Sequence, residues 1–313
     1  MPPLTDNARG ALFMMVSMAG FVCNDTMLKL ASAELTLFQA IFLRGIMATG
    51  LIAALALLRG ELFHRVERRN VPILGLRMLG EIGGTICFLT ALFNMPIANA
   101  TAILQAMPLA VTLAAALFLG ERVGWRRYGA ICAGFAGVLI IVRPGTEGFN
   151  AYAFWAVAAV FFMVLRDVTT RQLTRAMPST FVAFSTALSI TLVGGVVSLF
   201  QPWGTVTPAS LGLLALAAVF LFTGYLFIVL AMRHGEVGFV SPFRYTILIW
   251  AIILGMVFFA EMPDAWMLAG SAIVVATGVY TFYRERIRAR RTRAAEASPR
   301  PELAAPARPP AAQ

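Results

Sequence analysis

Ten apolar stretches follow one another along this chain, separated by short polar breaks. They fall at about 10–31, 35–58, 71–93, 98–119, 125–142, 151–171, 179–200, 209–232, 237–260 and 265–283. A helix rising 1.5 Å per residue needs about 17–25 residues to cross the hydrocarbon of a bilayer, and each run is near that length. The pattern predicts an all-α integral membrane protein of ten transmembrane helices. Because the breaks are short, consecutive helices are expected to be antiparallel neighbours. The first run is long enough to span and others follow it, so it reads as a retained helix rather than a cleaved signal.

Composition supports this reading. Of 313 residues, 59% are hydrophobic and 13% charged, against about 25% charged in soluble domains. So much apolar surface needs lipid as its solvent. The formal charge of +10 comes from arginine, with Lys29 the single lysine. Nucleic acid is excluded as a partner, since the arginines lie in short loops and a tail rather than on a soluble domain. Arg59, Arg65, Arg68 and Arg69 follow the second run, Arg122, Arg126 and Arg127 the fourth, Arg171 and Arg175 the sixth, and Arg233 the eighth. The odd-numbered loops hold only Arg143. This alternation puts the even loops and both termini in the cytoplasm, as expected for a bacterial inner-membrane protein. Residues 291–313, rich in alanine and proline, read as a disordered cytoplasmic tail. Cys23, Cys87 and Cys132 fall inside runs and read as small apolar residues. His64 and His234 are loop residues. No phosphate-binding loop, HExxH or cysteine–histidine set occurs, so no cofactor, metal site or enzymatic centre is expected.

An internal repeat organises the chain. Residues 1–147 laid over 148–290 match Asp25 and Lys29 to Asp167 and Arg171, Ala91 to Ala231, Glu121 to Glu261, Trp125 to Trp266 and Gly137 to Gly278. Each half holds five helices. Five is odd, so the second half enters the membrane inverted. Inverted repeats characterise alternating-access transporters, with the site near the midplane. The Gly120-Glu121 pair ending the fourth helix and the glycine-rich fifth helix resemble the drug/metabolite transporter superfamily, EamA type, over about residues 10–285. Within it, NDTMLK at 24–29 and SPFRYTILI at 241–249 resemble a bacterial subgroup that includes carriers of S-adenosylmethionine and of riboflavin. The second half departs from the pattern, with Ala260-Glu261 in place of Gly-Glu.

Ionisable groups in hydrocarbon cost about 2.5–3.5 kcal/mol each on insertion scales. Asp25, Lys29, Arg44, Arg77, Glu81, Arg166, Asp167 and Arg244 all lie inside runs. Asp25 and Lys29, four apart, share a helix face and can pair; Asp25 can also meet Arg44 across helices. Asp25, Lys29 and Arg44 on one side and Arg166, Asp167 and Arg171 on the other are candidate gates, and static pairing explains them equally well. Glu81, near mid-membrane and four after Arg77, is a candidate for substrate binding or proton coupling, with a structural Arg77–Glu81 pair as the alternative. Arg244, after Pro242, can hold a carboxylate, a phosphate or an electron-rich ring edge. The resemblance raises its standing as a binding residue. Tyr245 and Trp250 can stack on a planar ligand, although packing suffices for Trp250, and Gln105 can line a cavity. Small residues in the fifth and tenth helices suit close packing within the chain, with a homodimer contact as the alternative.

These readings converge on a secondary carrier of a small organic metabolite, and the resemblance implies uptake, of riboflavin or S-adenosylmethionine. The interior charge, five positive against three negative, is mildly against a strongly cationic substrate. That ranks riboflavin ahead of S-adenosylmethionine. An exporter of amino acids or metabolites is the alternative within the family; a membrane-embedded enzyme or a scaffold subunit is the alternative outside it.

Overall fold

A computed structural model describes residues 6–64, 66–118, 120, 124–146, 149–173 and 177–297. Glu121, Arg65, Arg122, Arg175 and residues 298–313 lie outside the described residues. All regular structure among the described residues is helical. Among the described residues, ten segments are long and apolar enough to cross a membrane.

The helices are α1 (Asp6–Ala31), α2 (Leu37–Leu58), α3 (Asn70–Asn94), α4 (Ile97–Leu104), α5 (Met107–Phe118), α6 (Trp125–Val142), α7 (Ala153–Thr170), α8 (Ser179–Ser198), α9 (Pro208–His234), α10 (Val237–Val240), α11 (Ile247–Phe259) and α12 (Ala265–Ala297). Their ends carry ordinary stop and start chemistry. Thr207 caps α9, accepting from Ser210 N at 3.1 Å, and Pro208 takes the first helical position, where no N–H is needed.

Two of the ten spans are not continuous helices, unlike the single runs expected from hydropathy. The fourth span is α4 and α5, parted at Gln105 and Ala106. Pro108 cannot donate to the carbonyl four residues back, which interrupts the ladder there. The ninth span is α10, a 3-10 segment Ser241–Thr246 containing Pro242, and α11. Helix α12 also runs on to Ala297, into the stretch expected to be a tail. Alanine and arginine are strong helix formers, so the helix continues past the apolar run.

Helices of one half pack on those of the other. The first span lies against the eighth, the second against the seventh, the third against the sixth, the fourth against the ninth and the fifth against the tenth. Exchanging every span with the one five places along maps this pairing onto itself. Glycine sets the closest approaches. A Cβ on Gly137 would lie 2.9 Å from the carbonyl oxygen of Gly270, so α6 and α12 meet backbone to backbone. The small residues of the fifth and tenth spans are thus used within the chain. Large apolar side chains such as Leu117, Phe161 and Val257 cover the outside, 64%, 67% and 70% exposed, as a lipid-facing surface requires.

Gly120 and Ala260 occupy matching places after the fourth and ninth spans, and both are left-handed, with φ of 68° and 53°. Alanine is strained in that conformation by roughly 1–2 kcal/mol, part of which glycine forfeits in chain entropy. Ala260→Gly is therefore expected to stabilise the protein by about 0.5–1 kcal/mol, read as a higher thermal midpoint in detergent. A lower midpoint would show that the methyl group contributes packing instead.

Candidate functional site

The interior charges gather where the third, sixth and seventh spans meet. Gly80 makes this meeting possible: a Cβ there would fall 2.7 Å from the backbone N of Arg166. Without that Cβ, α7 seats Arg166 directly against α3. The Arg166 guanidinium then donates from NH1 to Glu81 Oε1 at 3.3 Å and from Nε to Asp167 Oδ1 at 2.7 Å. Glu81 Oε2 lies 3.6 Å from Arg77 NH2. Arg77 also donates from Nε to Thr170 Oγ1 at 3.0 Å and from NH1 to Thr186 Oγ1. The result is a chain of alternating charge, Asp167–Arg166–Glu81–Arg77, closed by two threonine hydroxyls on α7 and α8. The i,i+4 pair of Arg77 and Glu81 expected from the sequence is present, and Arg166 adds a second cation to the same carboxylate.

A second group joins the first and second spans. Asn24, 4% exposed, donates from Nδ2 to Asp25 Oδ1 at 2.9 Å and accepts at Oδ1 from Arg44 NH1 at 3.2 Å. The expected approach of Asp25 and Arg44 thus runs through an amide that serves both. Tyr225 on α9 is 55% exposed, and charges of both groups act on it. Its ring packs edge-on against Phe21 at 5.3 Å, and the charges of Glu81, Arg166, Arg44 and Arg77 all act on its hydroxyl. Sequence reasoning missed Tyr225, Thr170 and Thr186. The available signal was the one phenol of α9, set in its apolar middle, whose hydroxyl needs a polar environment.

Both broken spans flank these charges. The Arg166 guanidinium reaches 4.0 Å from Sδ of Met107, the first residue of α5. Gln105 sits at the break itself, half-buried. On the ninth span, Arg244 lies in the 3-10 segment, where the charges of Asp167 and Arg166 act on it. Tyr245 is 5% exposed and turned away from stacking on a ligand: its hydroxyl abuts Gly278 and its ring centroid is 6.4 Å from that of Phe282. Trp250 is 37% exposed and, among the described residues, joins the cluster by no hydrogen bond or ring contact. Asp25, Arg44, Arg77, Glu81, Arg166, Asp167 and Arg244 are each half-buried rather than sealed in the core. Among the described residues, no group of histidine, cysteine, aspartate and glutamate could hold a metal ion.

Lys29 does not pair with Asp25. It reaches the turn between α11 and α12, where Nζ meets Glu261 Oε1 at 2.5 Å and donates to the Met95 carbonyl at 2.6 Å. Glu261 Oε2 accepts from the backbone N of Ile97, the first residue of α4, at 2.9 Å. An acceptor at a helix N-terminus satisfies an otherwise unbonded N–H and opposes the positive end of the dipole. One carboxylate thus ties together the ends of the first, fourth and ninth spans. Asp167 likewise turns to Arg166 instead of Arg171, which lies at the C-terminal end of α7. In both halves the four-residue pair is not formed, because the preceding residue of the same helix, Asn24 for Asp25 and Arg166 for Asp167, reaches the carboxylate instead.

Cutting this knot is expected to be non-additive. Glu261→Ala should lower stability by about 3 kcal/mol, since Lys29 loses its partner with little water to replace it. Glu261→Gln, which keeps an acceptor for Ile97 N, should cost less. A double-mutant cycle with Lys29→Ala, read by thermal unfolding in detergent, should show a coupling of about 1–3 kcal/mol; additive losses would show that the pair contributes nothing of its own.

Comparison with known proteins agrees with this architecture. The model of the EamA-like transporter family matches residues 8–143 and again residues 150–283. A pseudopaline exporter of Pseudomonas aeruginosa is 29% identical over 280 residues, covering 85% of this chain and 93% of the relative. A riboflavin transporter of Rhizobium johnstonii is 29% identical over 209 residues, 66% of this chain and 69% of the relative. An S-adenosylmethionine uptake transporter of Rickettsia felis is 25% identical over 281 residues, 88% and 93% of the two chains. A solved crystal structure superposes with a TM-score of 0.60 at 20% identity, covering 89% of this chain and 98% of its own, which shows the fold. With ten candidate spans and two matches to one family model, the chain is a multi-pass membrane protein and a small-molecule transporter rather than an enzyme, and it belongs to the EamA-like transporter family of the drug/metabolite transporter superfamily.

Proposed function

We propose that this chain takes up a small organic metabolite across the bacterial inner membrane by alternating access, with both termini in the cytoplasm. In this reading, residues 1–147 and 148–290 are inverted repeats that rock about a central site. One observation carries it: the fourth span of each half is interrupted beside the same ionic cluster. Interrupted helices at corresponding places in two halves are where carriers bind substrate, because a helix break frees backbone groups at the midplane. The Asp167–Arg166–Glu81–Arg77 chain and the Asn24 bridge then line the path. The Lys29–Glu261 knot closes the outer end, while Arg171 marks the inner end.

Riboflavin and S-adenosylmethionine are the substrates to test first, because two relatives are named for them and both residue stretches 24–29 and 241–249 carry the resemblance. Export is the second reading, favoured by the pseudopaline exporter's similarity over 85% of the chain.

The protein reconstituted alone in liposomes is expected to move labelled riboflavin or S-adenosylmethionine without altering it chemically. Glu81→Gln should slow that flux about tenfold or more, because neutralising Glu81 leaves Arg77 and Arg166 to repel each other. Undiminished flux in a well-folded Glu81→Gln variant would remove the cluster from the transport path. Flux in the outward direction alone would establish the exporter reading.

A further inference from the structure

We propose that Arg244 binds a carboxylate of the transported molecule, so that the substrate belongs to the carboxylic-acid metabolites. The inference rests on the carrier reading above and names the chemistry of its central site.

The observation is one of charge accounting after pairing. Lys29 is neutralised by Glu261 at the end of the bundle, away from the interior. The interior then holds four cations, Arg44, Arg77, Arg166 and Arg244, against three anions, Asp25, Glu81 and Asp167. Arg77 and Arg166 share Glu81, and Arg166 also holds Asp167. Arg44 is bound by Asn24 beside Asp25. Arg244 alone among these makes no hydrogen bond and no ion pair in the described residues. Asp167 acts on it only at a distance, and Arg166 opposes that attraction. The surplus positive charge and the unsatisfied donors are therefore the same side chain.

A half-buried guanidinium carries five N–H donors in a planar fork and cannot shed its charge. Left unpaired in a membrane interior it is costly, and a carboxylate matches its fork with two parallel bonds. The position suits a ligand. The 3-10 segment that carries Arg244 breaks the ninth span, and the neighbouring Tyr245 is packed against Phe282 and Gly278, which holds the segment in place. A carboxylate supplies the counter-charge that Arg244 lacks. A carboxylate-free ring system would leave the surplus charge unmet.

S-adenosylmethionine and decarboxylated S-adenosylmethionine differ only in the group at issue, and riboflavin lacks it altogether. Binding of all three to the purified full-length protein is to be measured by ligand-dependent thermal shift, and their flux in liposomes. Wild-type protein is expected to bind S-adenosylmethionine at least about tenfold more tightly than its decarboxylated analogue. Arg244→Gln should lose that discrimination, and Arg244→Lys should retain part of it by keeping the charge without the fork. Arg244 has no protein partner to orphan, so both variants are expected to elute and melt like wild type. If the analogue or riboflavin binds as well as S-adenosylmethionine, or if Arg244→Gln still discriminates, the carboxylate assignment is overturned and the carrier reading survives. If wild-type protein neither binds nor moves any of the three, the substrate reading fails and this proposal falls with it.

Discussion

The ion pair of Arg166 and Glu81, made across α3 and α7, is the contact on which the interior depends. A charge in hydrocarbon persists only if a partner and further donors or acceptors meet it there. Here one guanidinium engages two carboxylates, and one of those carboxylates is shared with Arg77. The geometry demands that two helices of different halves come within backbone contact, and Gly80 permits it. The third and sixth spans are therefore joined by electrostatics as well as by packing, and the broken fourth and ninth spans lie against that joint.

The same constraint explains the ends of the bundle. Glu261 is at once the partner of Lys29 and the acceptor for the N-terminus of α4. A carboxylate with two such tasks holds three spans in register, and Ala260 accepts a left-handed backbone to place it. The replacement of glycine by alanine at this position leaves the turn geometry intact, since Gly120 and Ala260 share the conformation. A membrane carrier needs its ends held firmly yet separably; an ion pair, unlike interlocked apolar packing, can be exchanged for water when an end opens.

Much of the architecture was legible in the residues. Ten apolar runs became ten spans because no structure other than a helix satisfies the backbone in lipid along a single segment. The Arg77–Glu81 pair was legible because a four-residue spacing on one helix leaves little choice. The same rule misled for Asp25 and Lys29, and for Asp167 and Arg171, where the adjacent Asn24 and Arg166 reach the carboxylates instead. The interruption at Gln105 was overlooked because the apolar run continues on both sides of it and mean hydropathy does not register the backbone bond that Pro108 removes. Tyr225 was overlooked because its importance lies in four charges brought from α2, α3 and α7, none of them near it in sequence.

The sequence by itself thus determined the solvent, the number of spans, the doubling of the chain and the set of charges that must be neutralised. These follow from composition and local spacing, which act through the short-range physics of helix and bilayer. Only the tertiary structure decided which charge meets which, since pairing across helices depends on approach distances set by glycines such as Gly80 and Gly137. It also decided that Arg244 is, among the described residues, the interior cation left without a hydrogen bond or ion pair, a property that no residue carries alone and that appears only when the other interior charges have found their partners.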